Sequence, residues 1–204
     1  MAHTFGNYGA LFMNAMTWYD HETDTLWSQP NGAALKDEYA GLRLALIAAS
    51  IEPWGTWKRD NPNTLVLGGP GLNPGFSFDP FDGRQGEFVL GVTLGEDARA
   101  YPFDLISSQG VTNDFIGDIP VLVVANPDDR SAHLFVRQVG EQLLEFEAVD
   151  GELRDVQTGS LWSPLTGLAV QGEFRGEGMR QIPFCTAYGW AWEDFYPQTT
   201  FYGN

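Results

Sequence analysis

Three pairs of residues with chemical potential recur at matched places in this chain: Asp20 and Asp155, Trp27 and Trp162, Glu38 and Glu173. Aromatic rings beside carboxylates suit sugars, whose C–H faces stack on indole while their hydroxyls donate to acids. Two carboxylates at a suitable separation also cleave glycosidic bonds, one serving as acid and the other as base or nucleophile. The same residues have a structural reading, in which each Trp anchors a strand in a core and its truncation costs about 3–5 kcal/mol. Spacing along a chain gives no distance in space, so both readings stand at this level.

Other residue types invite narrower chemistry. Asp20 and His21, followed by Glu22, are candidate metal ligands. Neighbours on a strand point to opposite faces, so only two of the three converge without a turn, and a solvated charged turn is the competing reading. His133 falls in the middle of an apolar stretch, on one face with Phe135 and Arg137, which predicts a hydrogen-bonded structural histidine. Cys185, the one cysteine, excludes an intrachain disulfide, and its neighbours Ile182, Pro183 and Phe184 predict a buried, inert thiol. Ser28 and Ser163 lack the Gly-x-Ser-x-Gly elbow that exposes a serine nucleophile. The oxygen donors of Asp79, Asp82 and their Gly83-bearing loop do not follow the twelve-residue calcium spacing.

These pairs match because residues 20–67 recur, without a gap, as residues 155–202. Thr25-Leu26-Trp27-Ser28 aligns with Ser160-Leu161-Trp162-Ser163, and Gly32, Ala34, Gly41, Trp57, Pro62 and Thr64 align with their own kind. A repeat of this length is a small fold in itself, not a solenoid unit. The expected fold is mainly β with a few short helices, built from two internally repeated, pseudo-two-fold related units. Residues 1–67 make an incomplete first unit, 68–87 a Gly- and Pro-rich connector, and 88–204 a complete second unit. The first unit lacks most of what the second has ahead of the shared block. Unpaired strand edges left by such a loss are normally covered, which predicts a homodimer or an exchanged segment.

Period-two alternation over Leu143–Val149 predicts a half-buried strand, and Asp150-Gly151 the hairpin turn after it. The continuous apolar run Pro120–Ala125 predicts a central strand partnered by residues 132–137 across the turn at Asn126-Pro127-Asp128-Asp129. Tyr188, Trp192 and Phe195 stand at helical spacing, so 186–196 reads as a short helix stopped by Pro197, with 51–61 as its counterpart before Pro62. Pro102–Ser108 reads as a single helical turn.

Of the 204 residues, 43% are apolar and 14% aromatic, as in a packed globular protein, despite a formal charge of −16. A field this negative repels phosphate backbones and anionic lipid, which argues against nucleic-acid and membrane-surface binding. Cations, neutral sugars and basic partners remain compatible, and high acidity also serves solubility alone. No apolar run is long enough to span a bilayer, and the first residues carry no export signal.

The phrase Trp18-Tyr19-Asp20-His21-Glu22-Thr23-Asp24-Thr25-Leu26-Trp27-Ser28-Gln29, with Asn61-Pro62-Asn63-Thr64-Leu65 after it, resembles the bacterial and archaeal family known as domain of unknown function number 3179. The second half resembles it as well, through Ala100-Tyr101-Pro102-Phe103, Val111-Thr112-Asn113-Asp114, Asp155-Val156-Gln157-Thr158-Gly159-Ser160-Leu161-Trp162 and Phe195-Tyr196-Pro197-Gln198-Thr199. The resemblance implies no activity. It implies an extracytoplasmic location, since many members carry export or lipid-anchor signals. Full-length members also show a Cys-Pro-x-Cys-type segment, suited to a soft metal or a dithiol cycle, and this chain lacks it. The expected function is accordingly a non-catalytic binding or structural module for a polar or carbohydrate-like ligand. The alternatives are a hydrolase using paired carboxylates, or a metal-binding protein whose thiolates lie elsewhere.

Overall fold

A computed structural model describes residues 2–65 and 86–204. The Asp79–Gly83 loop and nearly all of the 68–87 connector lie outside the described residues. The chain begins with β1 (Phe5–Phe12), β2 (Ala15–Asp20), β3 (Leu26–Ser28) and β4 (Ala34–Lys36), an antiparallel meander, followed by helix α1 (Trp54–Asp60). A second group comprises β5 (Phe88–Leu94), β6 (Asp97–Pro102), helix α2 (Phe103–Gln109), β7 (Val111–Ile116), β8 (Ile119–Ala125) and β9 (Ala132–Val136). After the small hairpin of β10 (Gln138–Val139) and β11 (Gln142–Leu143) comes another meander: β12 (Phe146–Val149), β13 (Glu152–Asp155), β14 (Leu161–Trp162) and β15 (Ala169–Gln171). The chain closes with β16 (Cys185–Tyr188), helix α3 (Gly189–Phe195) and β17 (Thr200–Phe201). The fold is thus mainly β with three short helices among the described residues, and it is built from repeated units.

Alternation along the strands assigns each face its core. Leu90, Val92 and Tyr101 of the mixed sheet β16-β5-β6-β17 meet Val121, Val123 and Leu134 of the sheet β7-β8-β9, with Phe103 and Ile106 of α2 between them. On the far face of β8 and β9, Leu122 and Phe135 pack on Phe146, Leu153, Trp162 and Ala169 of the second meander. On the far face of β5 and β6, Val89, Ala98 and Ala100 pack on Trp192 and Tyr196. The order of layers is therefore α3, mixed sheet, three-stranded sheet, meander. Glycine is required at position 91, where an added Cβ would run into the ring of Trp192.

Several elements depart from the sequence reading for identifiable reasons. Residues 186–188 are strand, because β16 pairs antiparallel with the open side of β5 (Cys185↔Gly91, Tyr188↔Phe88), and the helix starts only at Gly189. The strand expected from Leu143 begins at Phe146, where the amide side chain of Asn113 donates to the Phe146 carbonyl (2.7 Å) and accepts from its N–H (2.9 Å). Leu144 and Phe146 are buried as expected, but Ala148 is exposed. The turn at Asp150-Gly151 takes positive φ at both residues (53° and 80°), the geometry of a tight two-residue hairpin. The stretch after Pro102 is a two-turn helix, α2, in place of the single turn.

The first unit touches the second at several points. Ile51 bridges to Ala132 at the end of β9, exchanging N–H···O bonds of 3.4 and 3.0 Å, and Gln181 donates to the Ala49 carbonyl (3.3 Å). The ring of Phe12 lies 6.3 Å from that of Phe195.

Candidate functional site

Each meander is organised by one buried carboxylate. β2 ends at Asp20, a tight turn follows, and β3 brings Trp27 back beside it. Asp20 accepts from the Thr23 N–H (2.8 Å), the Thr23 hydroxyl (2.7 Å) and the Trp27 indole N–H (2.9 Å). In the second unit Asp155 accepts from the Thr158 N–H (2.6 Å), the Thr158 hydroxyl (2.9 Å) and the Trp162 indole N–H (2.9 Å). The hydroxyl pair Thr23–Thr25 recurs as Thr158–Ser160, at 2.7 Å in both. Each turn closes through a left-handed residue, Asp24 (φ 55°) or Gly159 (φ 72°). Each indole is wedged between two rings, Phe5 and Tyr39 in one unit, Phe146 and Phe174 in the other.

Both carboxylates are fully buried, and Trp27 and Trp162 are 5% and 2% exposed. The sequence-predicted residues are therefore brought together within each unit, Asp20 with Trp27 and Asp155 with Trp162, and not across the two units. Glu38 and Glu173 sit exposed in the turns after β4 and β15. None of the six lines the cavities at the seam of the units. A buried carboxylate whose lone pairs all hold donors is a structural clamp: it satisfies the indole N–H and the turn amide that burial would otherwise leave unpaired.

The copies differ at one edge of the clamp. His3 adds its Nδ1 to Asp20 Oδ1 (3.2 Å) and lies 3.8 Å from Glu22 Oε2, which accepts from the Thr4 N–H (2.9 Å). At the matching place in the second unit Gln157 Oε1 accepts from the Glu145 N–H (3.0 Å), and buried Leu144 stands where His3 does. Burial acts to raise the Asp20 pKa, but hydrogen bonds from Trp27, Thr23 and His3 outweigh it and hold the carboxyl well below its usual range. His21, the predicted ligand, is exposed, with its ring 4.7 Å from that of Tyr19. The one cluster of three ligand-type groups among the described residues is His3, Asp20 and Glu22. Its central member already accepts from Thr23, Trp27 and His3, so a cation there would have to displace a donor.

Three cavities lie at the seam. One, of about 480 Å³, is largely apolar and is lined by Pro30 and Leu46 from the first unit and by Phe184, Cys185 and Phe195 from the second. Cys185 is half-buried there, short of the full burial expected, and desolvation pushes its thiol up to about 11. A second hollow, of about 540 Å³, lies under Trp54 and Trp57.

The third cavity, of about 500 Å³, runs between α1, the turn 126–131 and the second meander. Its lining combines apolar side chains, Val111, Val124, Leu153, Pro164 and Leu165, with Asn126, Asp129, Ser131 and His133 and with Arg59 of α1; Val124 and His133 are cross-strand neighbours, so the two kinds lie side by side. His133 departs from the sequence reading. It is 2% exposed, and neither ring nitrogen has a hydrogen-bond partner. Burial pushes its pKa down to about 4 against the opposing charge of Asp129, so the ring is neutral at neutral pH. Its face-sharing with Phe135 is as expected, the rings lying nearly parallel at 9°.

Two residues make contacts that the sequence did not foretell. Buried Arg137 donates to the Leu144 carbonyl (2.9 Å) and Glu145 Oε1 (2.7 Å), joining β9 to the second meander. Asp114 gathers Arg99 and the Tyr101 hydroxyl (3.1 Å), joining β6 to β7. The resemblance phrases contained Tyr101 and Asp114, but nothing in the sequence paired them.

Two copies of one β-rich unit, each clamped by an Asp–Trp pair, define a tandem-repeat protein. One family model matches the chain twice, over residues 1–85 and 83–201, and its description is protein of unknown function (DUF3179). The chain belongs to this family. No curated protein and no solved structure matches it. No helix among the described residues is long and apolar enough to cross a membrane.

Proposed function

We propose that this protein is a non-catalytic binding module that takes a small polar ligand in the cavity between α1 and the second meander. The observation that carries the reading is the composition of that cavity, apolar side chains interleaved with hydrogen-bonding ones, with both units contributing residues. Its volume of about 500 Å³ falls in the range of small-molecule sites. The absence of catalysis is supported by the state of the paired carboxylates, since Asp20 and Asp155 are buried and occupied by their own turns, with no face left to act on a substrate.

The test is a thermal-shift and calorimetric screen of the intact chain against sugars, polyols, amino acids and small carboxylates, repeated on Ala148→Trp. Ala148 is exposed at the cavity edge, so the indole fills the space without disturbing the core. A ligand at 100 times its dissociation constant stabilises the native state by about 2.7 kcal/mol. A shift that Ala148→Trp removes is the expected result; no shift from any class sinks the reading.

A further inference from the structure

We infer that the ligand of this cavity is a neutral polyhydroxyl compound, a sugar or sugar alcohol, recognised by His133. The inference rests on the cavity being a binding site and specifies its chemistry.

The reasoning starts from what His133 lacks. An imidazole that is neutral presents one N–H donor and one lone pair, and here neither has a partner. Buried polar groups left unmatched are costly, and in native proteins nearly all are satisfied by protein, water or ligand. His133 lines the cavity, but its nitrogens are closed off from it in the empty protein, so an occupant reaches them as the ring turns toward the space. A carboxylate or phosphate only accepts, and an ammonium only donates. A hydroxyl does both, and a polyol brings several to one place.

The rest of the rim fits the same chemistry. Asn126 spends its side-chain oxygen on the Asp128 N–H (2.9 Å), which leaves its amide hydrogens as donors. Asp129 spends one oxygen on the Ser131 N–H (3.0 Å), which leaves the other as an acceptor for hydroxyls. Charge at the cavity has an acidic excess, Asp129 and Glu152 against Arg59 of α1, and the chain carries −16 overall, which disfavours anions. Beside His133 on the same sheet, Val124 and Val111 offer, with Leu153, an apolar surface for the C–H face of a pyranose ring.

The experiment measures two panels at neutral pH by calorimetry on the full chain: glucose, galactose, cellobiose and mannitol, against glucuronate, glucosamine and inorganic phosphate. Three proteins are compared, wild type, His133→Phe and Ala148→Trp. Phe keeps the ring beside Phe135 while removing both unmatched nitrogens, so the variant folds with stability equal to or above wild type, and the denaturation midpoint verifies this. The expected result is binding from the neutral panel only, weakened about tenfold or more by His133→Phe and abolished by Ala148→Trp. Binding of neutral sugars that His133→Phe leaves unchanged overturns the role of His133. Binding confined to the charged panel and lost in Ala148→Trp overturns the ligand class while the cavity remains the site. Silence from both panels overturns this inference, and silence across the wider screen removes the cavity as a binding site too.

Discussion

Trp57 and Trp192 hold the same place in the two units, at the same point of helices α1 and α3, and each indole donates to a threonine hydroxyl seven residues on: Thr64 at 3.0 Å and Thr199 at 2.7 Å. Yet Trp57 is 38% exposed and Trp192 only 3%. Ile47 and Ile182 diverge further, at 83% and 0%, and Leu44 is exposed where Met179 is buried. The local fold is the same, so the difference arises from what lies against it. Sheets β16-β5-β6-β17 and β7-β8-β9 bury Ile182 and Trp192, and the first unit has no counterpart to them among the described residues. The comparison separates two kinds of stability. The Asp–Trp clamp is carried by hydrogen bonds within the repeat and survives in both copies, whereas burial of the repeat's apolar side chains depends on neighbouring layers that, among the described residues, only one copy has.

The largest test of that separation is truncation of the two tryptophans. Trp192→Ala removes a ring packed on Gly91 and should cost about 3–5 kcal/mol in urea denaturation. Trp57→Ala should cost less than about 1.5 kcal/mol, because much of its surface is already in water. Equal costs would show that the first unit has a core hidden from this structure.

The clamp provides the next test, and here the copies should agree. Asp20→Asn and Asp155→Asn each weaken the bonds to a buried indole and a turn amide, so both should lose about 1–3 kcal/mol. The Asp20 penalty should also depend on acidity. Its pKa is lowered in the folded state, so the stability it contributes is fully present above the unfolded value of 3.8 and drains away as the pH falls below it. Acid titration of wild type against Asp20→Asn should show the two curves converging below that point. A gap that persists unchanged at lower pH would mean that the carboxylate charge is not what the clamp uses.

The smallest effect lies in the clamp turn. Gly159 takes φ 72° without cost, while Asp24 holds φ 55° with a side chain. Asp24→Gly should therefore stabilise the first unit by about 0.5 kcal/mol or leave it unchanged, and a loss above about 1 kcal/mol would show that the Asp24 side chain serves a purpose its counterpart lacks.

The duplication made much of this legible in advance. The β-rich class, the hairpin at Asp150-Gly151 and the equivalence of Asp20 with Asp155 follow from pattern and repetition, because local turn chemistry and alternation act over a few residues. What the acids do was not legible. Their burial depends on how β2 folds back on β3 and on rings from Phe5 and Tyr39, and side-chain identity does not distinguish a carboxylate that faces a substrate from one enclosed by its own turn. His3 was invisible for another reason: it precedes the aligned block, so no repeated partner drew attention to it. His133 shows the opposite failure. Its face was predicted correctly from period two, but whether a buried imidazole finds a partner depends on loops that approach from elsewhere in the chain.

The way the mixed sheet is assembled has a consequence for biosynthesis. The hairpin of β5 and β6 is flanked by β16 and by the parallel strand β17, and Thr200 meets Arg99 across 101 positions of sequence. During translation at about 5–20 residues per second, that hairpin leaves the ribosome with both margins bare and waits several seconds for its neighbours. The amino-terminal meander has its pairings close in sequence and can form while the rest is still being made. Maturation of this protein is then a two-stage event, with a vulnerable nascent interval that ends only when the final strand docks.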